Sequence, residues 1–319
     1  MTNITRTKQS NKKKWIWISL SIFGVLVLGL GAYIYSLYSS LQDTVTVMHE
    51  PIEREHSEKR IEKVIFEDQD PIAVLLMGVD ERGNDRGRSD SLIVITVNPK
   101  TNSMQMVSIP RDTRTEIIGK GFQDKINHAY AFGGTEMAMA TIENFLDIPI
   151  DYFVKVNMES FKEIVDAVGG VTVNNTFEFD YEGEHFAKGE IFLTGETALK
   201  YSRMRYDDPR GDFGRQDRQK QIIKSVIDEG ASFSSLANYG SILNVIGSNI
   251  KTNLSFSEMM DIQKNYKEAR HNLEQFQING KGAKINGIYY YVVSEEDRKA
   301  LSTKLKEHLE IGGENVTKR

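Results

Sequence analysis

Short apolar runs alternate along the chain with longer segments of helical periodicity. Apolar runs bounded by proline, glycine or polar turns are typical of strands buried on both faces of a sheet. The strands predicted in this way lie at 72–79, 91–98, 104–109, 151–157, 171–179, 190–194, 273–280 and 286–293. The segments with helical periodicity lie at 135–147, 158–170, 194–202, 215–230, 235–247, 255–270 and 295–309. Strands that alternate with helices predict a layered α/β/α domain, with helices on both faces of a mixed central sheet.

The N-terminal region has a pattern of its own. Residues 1–14 contain five basic and no acidic side chains, and residues 15–42 contain no charged side chain. An apolar segment of this length can cross a bilayer, which takes ~20 residues, and its flanking tryptophans and tyrosines suit the two membrane interfaces. Positive charge before the segment places the N-terminus in the cytoplasm. No A-x-A-like cleavage site follows, so we expect an uncleaved signal-anchor.

These patterns divide the chain into five parts. They are a cytoplasmic tail at 1–14, a transmembrane signal-anchor at 15–38, an extracellular stalk at 39–70, the main domain at 71–310 and a tail at 311–319. The sequence therefore predicts a single-pass type II protein of the cell membrane, with its main domain outside the cell.

Charge and composition exclude several classes of protein. A net charge of −5 argues against electrostatic binding to nucleic acid, and the absence of cysteine excludes disulfides, thiolate zinc sites and a thiol nucleophile. Ten of the sixteen arginines lie within 82–114 and 203–218, whereas the lysines are scattered. Because arginine makes bidentate contacts with phosphate, this clustering indicates an anionic ligand.

The first arginine-rich segment connects the first two predicted strands. Asp80 ends the first strand, and the loop returns through Arg82, Arg86 and Arg88 to Asp90. Ligand sites in open α/β sheets lie beyond the carboxyl ends of strands, where Asp80 stands. Two carboxylates beside arginines could hold Mg²⁺ against a pyrophosphate, because magnesium usually takes one or two carboxylates together with phosphate oxygens. A solvated surface hairpin is an equally good interpretation of this loop alone.

Further arginines follow the third strand and surround the start of a later helix. Arg111 comes directly after the third strand, and five arginines lie among four aspartates within 201–219. Arg215, Arg218 and Gln219 are predicted to share one face near the helix N-terminus, where unpaired backbone N–H groups and guanidinium groups attract anions. The alternative is a solvated, salt-bridged helix cap.

Motifs for covalent catalysis and for nucleotide binding are absent from the sequence. There is no G-x-S-x-G, no GxxxxGK[ST] and no GxGxxG after a strand. His128 lies beside Tyr130 and Phe132 and is interpreted as a packed, hydrogen-bonded histidine, with an acid–base role as the alternative. The remaining possibility is catalysis by carboxylates, arginines and a metal ion. Such groups position phosphates and neutralise their charge.

Several long motifs, in the same order along the chain, resemble the LytR–CpsA–Psr family. They are MGVDER, GRSDSLIVITVNPKT, MVSIPRDTR, DKINHAYAFGG, ENFLDIPIDYFVKVNMESF, VDAVGGVTV and YSRMRYDDPRGDFGRQDRQ. The resemblance covers about 70–310 together with the anchor, and is strongest to members from Gram-positive bacilli. It implies a phosphotransferase at the outer face of the membrane. Such an enzyme would move an anionic glycopolymer, typically wall teichoic acid, from an undecaprenyl-pyrophosphate carrier onto peptidoglycan and release undecaprenyl phosphate.

The resemblance also assigns roles to individual residues. Asp80 and Asp90 would bind Mg²⁺, with Mn²⁺ as the alternative. The residues that would hold the pyrophosphate and the lipid phosphate are Arg88, Arg111, Arg203, Arg205, Arg215 and Gln219. The implied catalytic residues are Asp80, Arg111, Arg205 and Asp212. Either Asp80 or Asp212 would be the base, with Asp80 favoured, and an apolar tunnel between sheet and helices would take the polyprenyl chain.

The corresponding hypothesis for the reaction is attack by the 6-hydroxyl of muramic acid on the polymer-side phosphorus. Two alternatives fit the same sequence. With water as the acceptor, the protein would be a polyprenyl-pyrophosphate phosphatase. A membrane-bound attenuator of transcription is the other alternative, although a cytoplasmic part of 14 residues is too short for a DNA-binding fold. The sequence leaves open which glycopolymer is transferred.

Overall fold

The computed structural model describes residues 42–80, 87–230 and 250–312, together with six single positions before residue 42. Apart from those single positions, the predicted transmembrane segment lies outside the described residues, as does the helix predicted at 235–247. Across the described ranges, no helix combines the length and the hydropathy needed to cross a bilayer.

The described residues form strands and helices in the order that the sequence predicts, with some additions. The strands are β1 (Ile72–Val79), β2 (Ser89–Asn98), β3 (Ser103–Ser108), β4 (Arg114–Ile117), β5 (Phe122–Lys125), β6 (Tyr152–Val156), β7 (Val171–Asn175), β8 (Phe179–Tyr181), β9 (Glu184–Phe186), β10 (Gly189–Leu193), β11 (Ile250–Thr252), β12 (Leu273–Gln277), β13 (Lys281–Ile285) and β14 (Ile288–Val292). The helices are α1 (His128–Leu146), α2 (Met158–Ala167), α3 (Gly195–Arg203), α4 (Asp212–Gly230), α5 (Phe256–Asn265) and α6 (Glu295–His308).

The central sheet has the strand order β11–β6–β1–β2–β3–β12. β1 is parallel to β6 and β3 is parallel to β12, whereas β1–β2, β2–β3 and β6–β11 are antiparallel. The carboxyl ends of β1, β3, β6 and β12 therefore lie at one edge of the sheet, and the start of β2 lies between β1 and β3. The mixed sheet confirms the prediction from sequence.

Apolar side chains alternate between the two faces of the sheet, as strands buried on both faces require. On one face, Leu75 of β1 belongs to a core that includes Ile142 of α1 and Leu305 of α6. On the other face, Ile93 of β2 belongs to a second core, against which Ile223 of α4 packs. Helices on both faces confirm the predicted α/β/α layers.

A third apolar cluster joins α2, α3 and α4 to the strands β7 to β10. Its centre is aromatic, because the ring of Phe179 stacks on Phe186 and on Tyr201, with 4.9 Å and 5.7 Å between centroids. Thr194 caps α3 by accepting the backbone N–H of Thr197. These contacts fix the end of α3 and therefore the loop before α4, which carries Arg205 and leads into Asp212.

Three β-hairpins differ from the sequence prediction. One is β8–β9, because the strand predicted at 171–179 ends at Asn175 and no strand is predicted at 184–186. The β4–β5 hairpin was not predicted, because β5 has no buried side chain and therefore lacks an apolar run. The segment predicted as two strands after α5 contains three, because Asn286 and Gly287 form the turn between β13 and β14. Their φ angles of 51° and 82° are the positive values that a two-residue hairpin turn requires.

Residues 49–70, part of the predicted stalk, lie against the domain. Arg54 donates to the two carboxylate oxygens of buried Glu143, at 2.5 and 2.9 Å. Arg60 forms an ion pair with Asp151, and both side chains are buried. The partners of both arginines come about 90 residues later in the chain, so no local pattern predicts these contacts.

Candidate functional site

The predicted site lies at the edge of the sheet where β1 and β3 end and β2 begins. Asp80 directly follows β1, and its backbone N–H donates to the carbonyl oxygen of Arg88 at 3.2 Å. The register between β1 and β2 shifts at this point, so that Asp90 is the extra residue of a β-bulge next to Ser91. A bulge turns a side chain away from its regular direction, and this one allows Asp90 to reach the end of β3.

Arg111 binds Asp90 across this edge. It lies three residues beyond β3, and its Nη1 is 2.6 Å from Oδ1 of Asp90. Burial by itself disfavours the charged guanidinium, but the carboxylates of Asp90, Asp212 and Asp112 outweigh that effect and raise the pKa of Arg111. Arg111 is therefore a fixed positive charge at the carboxyl edge of the sheet.

Arg215 reaches the same edge from the first turn of α4. Its Nη2 is 2.7 Å from Oδ1 of Asp212 and 3.4 Å from the carbonyl oxygen of Asp90. The ion pair with Asp212 is close but poorly aligned, since Oδ1 of Asp212 and Nε of Arg215 are buried without a hydrogen-bond partner among the described residues. Burial, opposed by Asp212 and reinforced by Arg111, lowers the pKa of Arg215. The guanidinium groups of Arg111 and Arg215 repel each other in a site that is partly shielded from water. A bound anion between them is therefore favourable.

Two more predicted residues lie at this edge, Arg205 in contact with Asp212 and Gln219 through Ser91, the neighbour of Asp90. Nε of Arg205 is 3.9 Å from Oδ1 of Asp212, and Oε1 of Gln219 accepts a hydrogen bond from the Ser91 hydroxyl at 3.1 Å. The structure thus brings together six of the residues predicted from sequence, here called the arginine–aspartate cluster. Its members are Asp90, Arg111, Arg205, Asp212, Arg215 and Gln219.

Other predicted residues lie beside or apart from the cluster. Asp80 and Arg88 lie at the same edge of the sheet, joined by their backbone hydrogen bond. Arg203 forms an ion pair with Glu182 at 3.5 Å, at the end of α3. Arg218 does not act with Arg215 as the helical spacing predicts, because it turns inward and pairs with a buried aspartate of the preceding loop.

The start of α4 packs tightly against that aspartate, Asp208. A Cβ atom at Gly214 would lie 1.7 Å from Oδ2 of Asp208, much closer than any real contact. We therefore expect Gly214→Ala to lower the free energy of unfolding by about 1–3 kcal/mol, although alanine favours helix. Urea unfolding measures this change, and an equally stable or more stable variant would contradict the observed packing.

The residues at this edge fit a divalent cation that is shared with a ligand. Within the described ranges, no group of three or more His, Cys, Asp or Glu side chains is arranged to hold a metal. Asp80 and Asp90 supply the oxygen donors that Mg²⁺ and Mn²⁺ prefer. One oxygen of Asp90 contacts Arg111. The donor set therefore suits a cation whose remaining ligands are phosphate oxygens rather than protein side chains.

A second polar network supports the segment around Arg111. His128 Nδ1 is 2.7 Å from Oδ2 of Asp124, whose other oxygen accepts from the hydroxyl of Tyr290 at 3.3 Å. The backbone N–H of Asn127 donates to the carbonyl oxygen of Arg111 at 3.3 Å. His128 is therefore the hydrogen-bonded histidine that the sequence favours.

Acid is expected to remove the stabilisation that Asp124 provides. Burial by itself favours the neutral carboxyl, but hydrogen bonds from His128 and Lys125 lower the pKa of Asp124 below its ordinary value of 3.8. A carboxyl whose pKa is lower in the folded state stabilises the fold above its unfolded pKa, and this contribution is lost as the pH falls through the folded pKa. The melting temperature of Asp124→Asn should therefore be below that of the wild type at about pH 6, and the difference should shrink below about pH 4. A difference that does not change with pH would contradict this assignment.

A separate cleft of about 620 Å³ lies at the opposite end of the sheet. It is formed between the segment 49–67 and the residues that precede or begin β6 and α5, among them Tyr152 and Glu258. It contains no member of the arginine–aspartate cluster. The cleft is therefore distinct from the candidate site.

The fold and the site together define an α/β/α protein with a positively charged site at the carboxyl edge of its central sheet. The arginines of that site come from two regions of the chain that are far apart in sequence. The chain belongs to the LytR–CpsA–Psr family, since residues 35–307 match the LytR_cpsA_psr family. This match confirms the resemblance found in the motifs.

Relatives with assigned names and solved structures agree with this membership. The polyisoprenyl-teichoic acid–peptidoglycan teichoic acid transferase TagU of Bacillus cereus is 56% identical over 301 residues, which cover 94% of this chain and 99% of that protein. The crystal structure of Bacillus subtilis TagU is 55% identical and has a TM-score of 0.63, over 76% of this chain and 99% of that one. A structure of TagT bound to LI-WTA is 30% identical with a TM-score of 0.69, over 81% and 98% of the two chains.

Proposed function

We propose that this protein is a phosphotransferase that attaches an anionic glycopolymer, wall teichoic acid, to peptidoglycan. The donor is an undecaprenyl-pyrophosphate-linked polymer at the outer face of the membrane, and undecaprenyl phosphate is released. The names of the relatives support the polymer and the acceptor. The single observation that carries the proposal is the convergence of Arg111 and Arg215, from distant parts of the chain, on Asp90.

The cluster is suited to a pyrophosphate because its positive charges are already in place. The forked guanidinium groups of Arg111 and Arg215 match pairs of phosphate oxygens, and a bound anion relieves their mutual repulsion. Arg205 contacts the same carboxylate as Arg215, that of Asp212, and adds a third cation. The family motifs also assign Arg88, Arg203 and Gln219 to the pyrophosphate and lipid phosphate. Of these three, Arg203 pairs with Glu182 at the end of α3 and is left out of the proposed phosphate site.

In the proposed reaction, the 6-hydroxyl of muramic acid attacks the polymer-side phosphorus of the pyrophosphate. A phosphorus–oxygen bond to the acceptor forms while the bond to the bridging oxygen breaks. Undecaprenyl phosphate leaves with the bridging oxygen. Arg111 and Arg205 neutralise the negative charge that develops on the transferred group.

The proton of the attacking hydroxyl passes to a carboxylate, Asp80 or Asp212. We favour Asp80, whose strength as a base falls when it holds a cation. Asp212 is the less suitable base, because one of its oxygens is 2.7 Å from Arg215 and the other accepts from Gln216 at 2.9 Å. Asp212 instead positions the arginines around it. Asp80 and Asp90 would hold Mg²⁺, or Mn²⁺ in its place, which supplies further positive charge against the pyrophosphate when it is bound.

The location follows from the sequence pattern of the N-terminal region. Five basic residues before an apolar segment support a single-pass type II orientation in the cell membrane. The domain is then on the side where lipid-linked polymer meets peptidoglycan. Protease added to intact protoplasts should digest the domain, and full protection of the domain would exclude this orientation.

The test of the function is a transfer reaction with the full chain in lipid vesicles. The donor is undecaprenyl-pyrophosphate-linked glycopolymer, the acceptor is purified peptidoglycan, and parallel reactions contain Mg²⁺, Mn²⁺ or a chelator. We expect polymer covalently bound to peptidoglycan and an equal amount of undecaprenyl phosphate, with loss of both in chelator. Release of lipid phosphate to the same extent without peptidoglycan would instead support the phosphatase alternative. No reaction under any of these conditions would exclude the proposal.

A further inference from the structure

The loop before α4 exposes an aromatic ring beside the arginine–aspartate cluster. Tyr206 is 90% exposed, although tyrosine side chains are usually covered over much of their surface in a folded domain. The guanidinium carbon of Arg205 lies over this ring, 5.7 Å from its centroid. Since Arg205 also contacts Asp212, the exposed ring directly adjoins the groups that surround the reacting phosphate.

The β8–β9 hairpin extends this surface on the side away from the sheet edge. The ion pair between Arg203 and Glu182, at 3.5 Å, brings the turn of the hairpin to the end of α3. Tyr181 directly precedes Glu182 in the chain, and Tyr206 follows Arg203 by three residues. The ion pair therefore brings the segments that carry these four residues together. We call Tyr181, Glu182, Arg203 and Tyr206 the tyrosine surface.

We infer that the tyrosine surface binds sugar rings of the acceptor glycan and guides its hydroxyl to the arginine–aspartate cluster, an inference that rests on the proposed function. A tyrosine ring offers a flat apolar face, which suits the C–H face of a pyranose, and a hydroxyl at its edge. Glu182 and Arg203 offer an acceptor and several donors for sugar hydroxyls. A few polar groups beside an aromatic face are what fix the orientation of a small polar ligand.

The charge of the hairpin favours the acceptor over the polymer of the donor. Four acidic side chains, which are 40–82% exposed, lie on or next to it: Glu178, Asp180, Glu182 and Glu184. Lys200 and Arg203 offset part of this charge. Exposed carboxylates repel a polymer rich in phosphate, whereas N-acetylated sugar rings carry no charge. The pyrophosphate, in contrast, is attracted to the cluster, so the two substrates approach from different sides.

The test replaces Tyr206 in the full-length protein and measures transfer while donor and acceptor are varied separately. Tyr206→Ala should raise the KM for peptidoglycan about 5- to 10-fold, while kcat and the KM for the donor stay within about twofold. Tyr206→Phe and Tyr206→Trp keep the aromatic face and lose only the hydroxyl, so their KM for peptidoglycan should stay within about twofold of the wild type. Tyr289→Ala is the matched control, because Tyr289 is also exposed (47%) but lies on β14, outside both the cluster and the tyrosine surface.

The possible outcomes distinguish failure of this inference from failure of the proposed function. An unchanged KM for peptidoglycan in Tyr206→Ala, or a raised KM for the donor alone, would overturn it and leave the proposed function standing. If the wild type transfers no polymer, the proposed function fails, and sedimentation of the protein with insoluble peptidoglycan decides the inference by itself. The wild type and Tyr206→Phe should then sediment with peptidoglycan more than Tyr206→Ala does, whereas equal sedimentation of the three would overturn the inference.

Discussion

Replacing Arg111 with alanine is expected to reduce the kcat/KM of polymer transfer by about 10²- to 10³-fold, the usual cost of losing one preorganised donor to a developing negative charge. Arg111 contacts Asp90 at 2.6 Å, and three nearby carboxylates secure its charge. The ion pair is only partly buried, so its loss should lower the free energy of unfolding by less than about 1 kcal/mol. Transfer should therefore fail in a protein that still folds, which transfer kinetics and circular dichroism together would show.

Two other variants serve as controls for Arg111→Ala. Arg111→Lys keeps the charge but loses the forked donor, and should recover only part of the activity. Arg114→Ala removes the arginine three residues later, whose guanidinium lies over Tyr290 at 5.8 Å, and should leave transfer unchanged. Wild-type transfer rates in Arg111→Ala would show that the pyrophosphate is bound elsewhere.

The sequence predicts which residues lie at this edge of the sheet, because a residue that directly follows a buried strand can be recognised from the neighbouring sequence alone. Asp80 and Arg111 both follow strands that were predicted almost at their observed bounds, and the strand directions then place them at one edge. The bulge at Asp90 could not be predicted, because it depends on the register between β1 and β2. Neither could the contacts of residues 49–70, whose charged partners lie far along the chain.

The different partners of the two arginines in the first part of α4 could not be predicted from the sequence. Arg215 and Arg218 are one turn apart, and both suit a phosphate ligand equally well by residue type. Tertiary packing gives them different surroundings. Arg215 faces Asp90 at the sheet edge, whereas Arg218 packs over the ring of Phe179 in the third apolar cluster. The partner that turns Arg218 inward, Asp208, lies in a loop without periodicity, so no pattern predicts it.

Loss of Arg218 is expected to have the largest effect on stability. Its guanidinium donates to Asp208 at 2.6 Å and to the carbonyl oxygens of Tyr201, at 3.0 Å, and Met204, and it lies over the ring of Phe179 at 5.4 Å. The side chains of Arg218 and Asp208 are 4% and 0% exposed, so Arg218→Met leaves a buried carboxylate with only the more distant and exposed Arg210 as a cation. Breaking such a pair typically lowers the free energy of unfolding by about 3–5 kcal/mol, which corresponds to a melting temperature lower by roughly 10 °C. Circular dichroism is the suitable measurement, because both tryptophans lie in the N-terminal segment, outside the domain.

A matched control and a double variant test whether the buried charge is the cause. Arg210 also contacts Asp208, at 3.8 Å, but its side chain is 49% exposed, so Arg210→Met should change stability by no more than about 1 kcal/mol. Adding Asp208→Asn to Arg218→Met should restore part of the lost stability, because a neutral amide then replaces an unpaired buried charge. A double variant no more stable than Arg218→Met would instead attribute the loss to the carbonyl and aromatic contacts of Arg218. Either way, Arg218→Met should reduce transfer below its melting temperature less than Arg111→Ala does, because Arg218 lies outside the arginine–aspartate cluster and acts only on the loop that carries Arg205.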